Sequence, residues 1–224
     1  MIYPSSLEFL NTLKANNNRE WFAIHKDRYL AELELIEGFA DELLTGLNTH
    51  DVIETLSGKK SLYRIYRDTR FSKDKIPYKT HWSGSFKRAT KYRRGGYYFH
   101  VEPGNTFVAG GFWGPNPDDL KLIRESIAFD AEPLRAILKS PEFISSFGEL
   151  RGDQLKTTPK GFEANHADID LLRYKQFIVV RKFSDDQVLA PDFHSLVINT
   201  FSDMRPFLDY MTEILTTDAN GLEI

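Results

Sequence analysis

The segment from Arg64 to His81 reads RIYRDTRFSKDKIPYKTH and concentrates side chains that bind anions. Arg64, Arg67, Arg70, Lys73, Lys75 and Lys79 are interleaved with Tyr63, Tyr66, Phe71 and Tyr78. A guanidinium is a planar fork that meets a carboxylate or phosphate at two points. From Lys59 to Arg94 there are thirteen Lys or Arg and two acids, Asp68 and Asp74, a local charge of +11. The whole chain carries −3, so the remainder carries −14. A block this polarised creates a local field that attracts anions even in an acidic protein. Two chemistries fit it. The block binds an anionic ligand, phosphorylated or carboxylated, with Arg64, Arg67, Asp68, Arg70, Lys75, Tyr78 and Lys79 as the expected contact set. Alternatively, Asp68, Asp74 and more distant acids pair with the bases in an internal salt-bridge network. In extended backbone Arg67 and Thr69 share one face, and Arg64, Asp68 and Arg70 the other. A bulge or turn near Asp68-Thr69 would bring the three arginines together.

If the site is enzymatic, the arginines would stabilise developing charge, and Asp68, His81, His100 or Glu102 would serve as acid or base. Other chemistries lack their residues. The six histidines include no HExxH and no short-range pair suited to a metal, so no metal site is expected. The absence of Cys excludes disulfides, thiolate catalysis and Cys-ligated zinc or iron–sulfur clusters. Gly110-Gly111-Phe112-Trp113-Gly114 lacks both the P-loop Lys and the dinucleotide fingerprint, and its glycines suit a bulge or close backbone approach. No GxSxG elbow is present. Thr157-Thr158-Pro159-Lys160-Gly161 reads as a turn, with Lys160 either in solvent or directed at the basic site. No motif specifies a cofactor.

The elements that must position these groups follow from periodicity. The first fifty residues read as helical, with Asn16, Asn17 or Asn18 as N-cap. Phe22, Tyr29, Leu33, Ile36, Ala40, Leu43 and Leu47 then recur at helical spacing, and Glu32, Glu34, Glu37, Asp41 and Glu42 fill a solvated face. From Ser61 the pattern changes to strands. Leu62–Arg67, Tyr97–Glu102 and Thr106–Trp113 are expected in one mainly antiparallel sheet, the last two joined through Pro103-Gly104-Asn105 by a type II turn. Tyr97, Phe99 and Val101 share the core face. Tyr98, His100 and Glu102 share the other, which mixes polar and aromatic groups as a groove would. Helices return with Asn116 as cap and Pro117 at the first position, and again at Ser140-Pro141-Glu142. Residues 176–183 form a further strand. A last helix carries Phe193, Leu196, Val197, Phe201 and Met204, with Pro206 bending or ending it. The expected fold class is α+β: one domain over residues 1–224, its mainly antiparallel sheet packed by N-terminal and C-terminal helices.

Composition bounds the rest. The 224 residues are 41% hydrophobic and 27% charged, ordinary for a globular protein. No apolar run reaches membrane-span length, and the N-terminus lacks signal-peptide character, so a cytoplasmic location is the default and no membrane partner is expected. A pI near 6.1 favours a small anionic molecule over nucleic acid as the partner.

Arg64, Arg67, Asp68, Arg70, Phe71, Asp74, Lys75 and Tyr78 match at the right spacing the signature RxxRDxRFxxDKxxY of a mostly bacterial domain-of-unknown-function family. Asn17-Asn18-Arg19-Glu20-Trp21-Phe22 resembles its N-terminal motif. Leu155-Lys156, Pro159-Lys160-Gly161-Phe162 and Asp170-Leu171-Leu172-Arg173 resemble its C-terminal ones. The resemblance spans nearly the whole chain and implies no reaction, cofactor or catalytic residue.

Overall fold

Asn18 adopts extended backbone, and its side-chain oxygen accepts the Trp21 amide, which starts a short helix. The computed structural model describes residues 1–89, 94–217 and 222. Helices α1 (Pro4–Ala15), α2 (Arg19–Ile24), α3 (Lys26–Leu47) and α4 (Gly58–Ser61) precede strands β1 (Trp82–Lys87), β2 (Gly96–Val101) and β3 (Thr106–Phe112). Helices α5 (Pro117–Phe129), α6 (Glu132–Lys139), α7 (Pro141–Phe147) and α8 (Ile169–Leu172) follow, then β4 (Phe177–Phe183), α9 (Asp185–Val188), α10 (Phe193–Asp203) and α11 (Arg205–Thr216). The four strands form an antiparallel sheet in the order β1-β2-β3-β4, and the α+β class is as expected.

The β2–β3 hairpin forms as the alternation predicts. The Asn105 amide donates to the Glu102 carbonyl at 2.9 Å, and Gly104 takes φ 71°, the left-handed value that position of a type II turn requires. Tyr97, Phe99 and Val101 are buried on one face of β2. Asn116 and Ser140 cap α5 and α7.

Four expectations are corrected. The helical run expected through Phe22 to Leu47 is broken at His25, whose ring stacks on Trp21 at 3.9 Å and whose Nδ1 lies 2.8 Å from the Trp21 carbonyl. Glu32 is buried rather than solvated, and its carboxylate accepts from Ser6 at 2.7 Å and Ser5 at 3.2 Å. Leu62–Arg67 makes isolated bridges and no strand, and the sheet begins instead at Trp82. Pro206 neither bends nor ends α10. It occupies the first turn of α11, where a missing amide costs nothing.

The chain divides into two compact units. One comprises Met1–Lys87, Tyr98–Val108 and Lys182–Asn199. In it Phe39 of α3 stacks on Phe193 and meets Phe99 of β2 edge-on, each at 5.8 Å, and Trp82 of β1 donates its indole N–H to the Ser6 carbonyl at 3.3 Å. The other comprises Arg88–Tyr97, Ala109–Arg181 and Thr200–Ile224. There Tyr97 packs on Phe201 at 5.0 Å, and Gly111 in β3, at φ 120°, lies so close to the Phe177 carbonyl of β4 that a side chain would collide with it.

Candidate functional site

The basic block separates into groups whose charge is met and groups whose charge is not. Arg67 pairs with Asp74 at 2.8 Å, and Arg70 wraps back on Asp68 with contacts of 3.0 and 2.6 Å. These bonds hold both carboxyls below their ordinary range. Lys75 donates to the Thr69 carbonyl at 2.8 Å, which closes the same loop on itself. Lys59 pairs with Glu37, Lys87 with Glu54, Arg88 with Asp209 and Arg94 with Asp119. Lys91 and Arg93 lie outside the described residues. Much of the block is internally neutralised, as a salt-bridge network requires. The three arginines do not converge through a turn at Asp68-Thr69, because that turn is where Arg70 and Asp68 satisfy each other.

Tyr78 is buried, its ring stacked on Phe22 at 4.0 Å with 15° between the planes. Its backbone is held by Asn17, whose amide donates to the Tyr78 carbonyl at 3.0 Å and accepts the Tyr78 N–H at 3.1 Å. Sequence reasoning missed this role for Asn17. The signal was its place in the N-terminal motif, next to the capping Asn18 and five residues before Phe22.

Lys60, Arg64, Lys73 and Lys79 remain. None makes an ion pair with a described residue, and Lys60, Arg64 and Lys73 are exposed. Arg64 and Lys79 lie across one ribbon, where the Lys79 N–H donates to the Ile65 carbonyl at 2.8 Å. The Lys79 ammonium lies 5.4 Å from the centre of the Tyr63 ring, a cation–π contact. Burial first, and then the positive charge of Arg64, pull the Lys79 pKa down. The charge of Arg64 thus acts against that of Lys79, and it also acts on the Asp68 carboxylate.

Their setting is a distorted ribbon. Leu62 pairs with Gly84 and Tyr66 with Tyr78. Four steps along one side thus face six along the other, and the excess of two is taken up at the bends of Thr80 and His81. Bulges of this kind re-aim side chains and recur beside functional sites. Here the bulge turns the His81 ring onto His100 of β2, with centroids 4.1 Å apart and planes inclined by 31°. His100 is buried at 8% exposure and stacks on Phe107 of β3 at 4.7 Å.

The polar face of β2 forms a hydrogen-bonded chain. The Glu102 carboxylate is bonded by Asn105 at 2.9 Å and by Thr80 at 3.4 Å, and lies 3.2 Å from His100 Nε2. Burial raises the Glu102 pKa, but the bonds from Asn105 and His100 outweigh it and the group stays below its ordinary range. Since a carboxylate only accepts, Nε2 carries the proton in the neutral ring and Nδ1 accepts, here from the Tyr98 hydroxyl at 3.1 Å. Burial lowers the His100 pKa despite Glu102, and burial raises that of Tyr98 despite a bond from Ser83. Tyr98 is thus a neutral donor and no phenolate nucleophile. His81 is pushed down to about 4, by burial first and then by His100 and Lys79. Beside this chain, the Tyr63 hydroxyl reaches Ser85 at 3.0 Å, and its ring approaches Tyr98 at 6.3 Å.

Among the described residues no three or more His, Asp or Glu side chains are grouped so as to hold a metal ion. Among the described residues no helix is long and apolar enough to cross a membrane either. The second unit has its own cleft of about 290 Å³, lined by Arg135, Lys139, Glu149, Asp170 and Tyr174. Its Arg135 is already bound to Asp168 at 2.8 Å and to Asp170 at 2.7 Å. Lys160 is exposed in a turn after the buried Pro159.

The family described as conserved hypothetical protein (DUF2461) matches residues 5–210, nearly the whole chain. The chain belongs to the DUF2461 family. No curated protein and no solved structure matches it. The motifs by which the chain resembles DUF2461 divide by role. The N-terminal one supplies the Asn18 cap, the Asn17 clamp and the Phe22 stack on Tyr78. The central one supplies the self-paired loop and Arg64, a cation without an ion pair to a described residue.

Proposed function

We propose that this DUF2461 protein binds a small anion, phosphorylated or carboxylated, on the outer face of β1 and β2, with Arg64 and Lys79 as its charged ligands. The observation that carries this reading is that the ribbon sets Lys79 opposite Ile65 and over the Tyr63 ring, on either side of Arg64, while neither cation makes an ion pair with a described residue. A bound anion removes their mutual repulsion and accepts hydrogen bonds from both. Arg67, Asp68, Arg70 and Lys75 shape the neighbouring loop through bonds among themselves. Two adjacent cations suit one compact anion better than the repeated phosphates of a nucleic acid.

A second reading is favoured by one further observation, the Tyr98–His100–Glu102 chain on the same face. A carboxylate that fixes an imidazole tautomer beside a hydroxyl is an acid–base arrangement, and it supports an enzyme acting on a phosphorylated substrate.

Thermal melting with and without sodium sulfate or phosphate tests the binding reading. The anion should raise the melting temperature of the wild type by mass action, and added sodium chloride should diminish the shift. Arg64→Ala and Lys79→Ala should remove the shift while the unliganded proteins stay folded. Arg70→Ala, whose partner lies in its own loop, should retain it. A wild type that neither anion stabilises rejects the reading.

A further inference from the structure

His81 stands apart from its neighbour. Both ring nitrogens of His100 are engaged, by Glu102 and by Tyr98. His81 makes no hydrogen bond with a described residue, although it is half-buried. It lies two residues after Lys79 and against His100, in the bulged stretch between Lys79, whose N–H donates to the Ile65 carbonyl, and Ser83, whose carbonyl accepts the Tyr63 N–H, so Arg64 stands across the ribbon from that stretch. The charged and titratable groups that face it are Lys79 on its own segment and His100 and Glu102 on β2, and Arg64 acts in turn on Lys79. Only Glu102 favours a protonated ring, and that carboxylate already accepts from Asn105, Thr80 and His100.

We propose that His81 is the third ligand of the anion held by Arg64 and Lys79, and that it takes up a proton as the anion binds. The inference rests on the binding reading above and adds to it a residue, a proton and a charge class. An imidazole with no nitrogen hydrogen-bonded to a described residue, two residues from Lys79 and across the ribbon from Arg64, can donate to an anion. In the empty site Lys79 opposes protonation of His81. An anion seated between them cancels that opposition and adds an attraction of its own. By linkage the same coupling must appear as affinity that rises as pH falls. The ligand class that gains most is a dianion, such as a phosphate monoester or sulfate, because the stabilisation of an imidazolium scales with the charge beside it. A monocarboxylate gains less.

Sulfate is the suitable probe, since its charge is constant through the range. Isothermal titration of the full chain with sodium sulfate at pH 8 and pH 5, in buffers of different ionisation enthalpy, reads affinity and proton uptake together. The expected result is binding roughly tenfold tighter at pH 5, with a fraction of a proton taken up, as a rise of about two units from the low starting pKa would give. His81→Gln should bind sulfate at pH 8 and lose the pH dependence. If that variant fails to fold, the His81 ring resonance of the wild type, titrated with and without sulfate, makes the same measurement, and its midpoint should rise with the anion. Binding that is independent of pH, an equal pH dependence in His81→Gln, or an unmoved midpoint overturns the proton-coupled role and leaves the anion site standing. No sulfate binding at either pH overturns both.

Discussion

The side-chain amide of Asn17 pairs with the backbone of Tyr78 in both directions, donating to its carbonyl and accepting from its N–H. One side chain thereby does what a neighbouring strand would do for that residue. It also ties the N-terminal motif to the last residue of the central motif, sixty-one positions away. Asn17→Ala should cost roughly 1–3 kcal/mol in urea denaturation, the range for removing partners from partly buried backbone groups. Tyr78→Phe, which keeps the stack on Phe22, should be nearly neutral, whereas Tyr78→Ala should cost about 3–5 kcal/mol. Equal losses in the two Tyr78 variants would show that the hydroxyl, and not the stacked ring, is what matters there.

Arg88 offers the opposite case within the basic block. Its side chain is 1% exposed, and its guanidinium donates to Asp209, to Thr212 at 3.1 Å and to the Arg94 carbonyl at 3.1 Å. Asp209→Ala strips this carboxylate from a buried cation and should lower stability by about 3 kcal/mol or more. Arg205→Ala removes only a more accessible ion pair to the same carboxylate and should cost well under half of that. Calorimetric melting of both variants decides the matter, and comparable losses would refute the assignment of Arg88 as the structural cation.

The acid limb of stability should carry the signature of His81. Its folded pKa of about 4 lies below the ordinary imidazole value of 6.5, so between those values the unfolded chain binds more protons than the folded one. Stability therefore falls as pH drops through that window, and below it the loss is complete. Allowing for the partial exposure of the ring, the contribution is about 1–2 kcal/mol. The lowered pKa of His100 acts in the same direction. Urea denaturation at pH 7 and pH 4.5 should show a smaller loss for His81→Gln than for the wild type. Identical losses would remove His81 from the account.

Gly111 is held at φ 120° in β3 against the Phe177 carbonyl of β4. Gly111→Ala adds both backbone strain and a collision with main chain that cannot swing aside, and should cost roughly 2–3 kcal/mol or more. Gly104→Ala strains only the turn, with open space around the added methyl, and should cost less. Melting temperatures in the reverse order would contradict the close approach.

These contrasts mark where sequence was informative. The β2–β3 hairpin was legible because Pro103-Gly104 and strict alternation agree, and α5 and α7 because caps and prolines stand at their starts. Leu62–Arg67 misled because its residue types suit a strand while its partner segment carries two extra residues, so only isolated bridges form. Type preference sees one side of a pairing and not the length of the other. In the site, the Arg-rich motif located the region. That Arg70 would close on Asp68 two residues before it, or that Arg88 would be met by an acid more than a hundred positions later, is fixed by chain path, which local spacing does not encode. That His81 and His100 lie near one sheet and can meet was legible in sequence; the bends at Thr80 and His81, which local spacing does not encode, set the ring contact itself.

The excess of two residues between Tyr78 and Gly84 has a consequence for how this chain can vary. An even insertion leaves the in-and-out phase of the strand unchanged beyond it, so Trp82 and Phe86 still reach the core. An odd one would turn them outward. Removing Thr80 and His81 together would therefore preserve phase and regularise the pairing, and such a deletion should be tolerated by the sheet. What it would remove is the ring that faces His100. The ribbon tolerates its irregularity in units of two, and the unit it carries here is the one that holds the histidine.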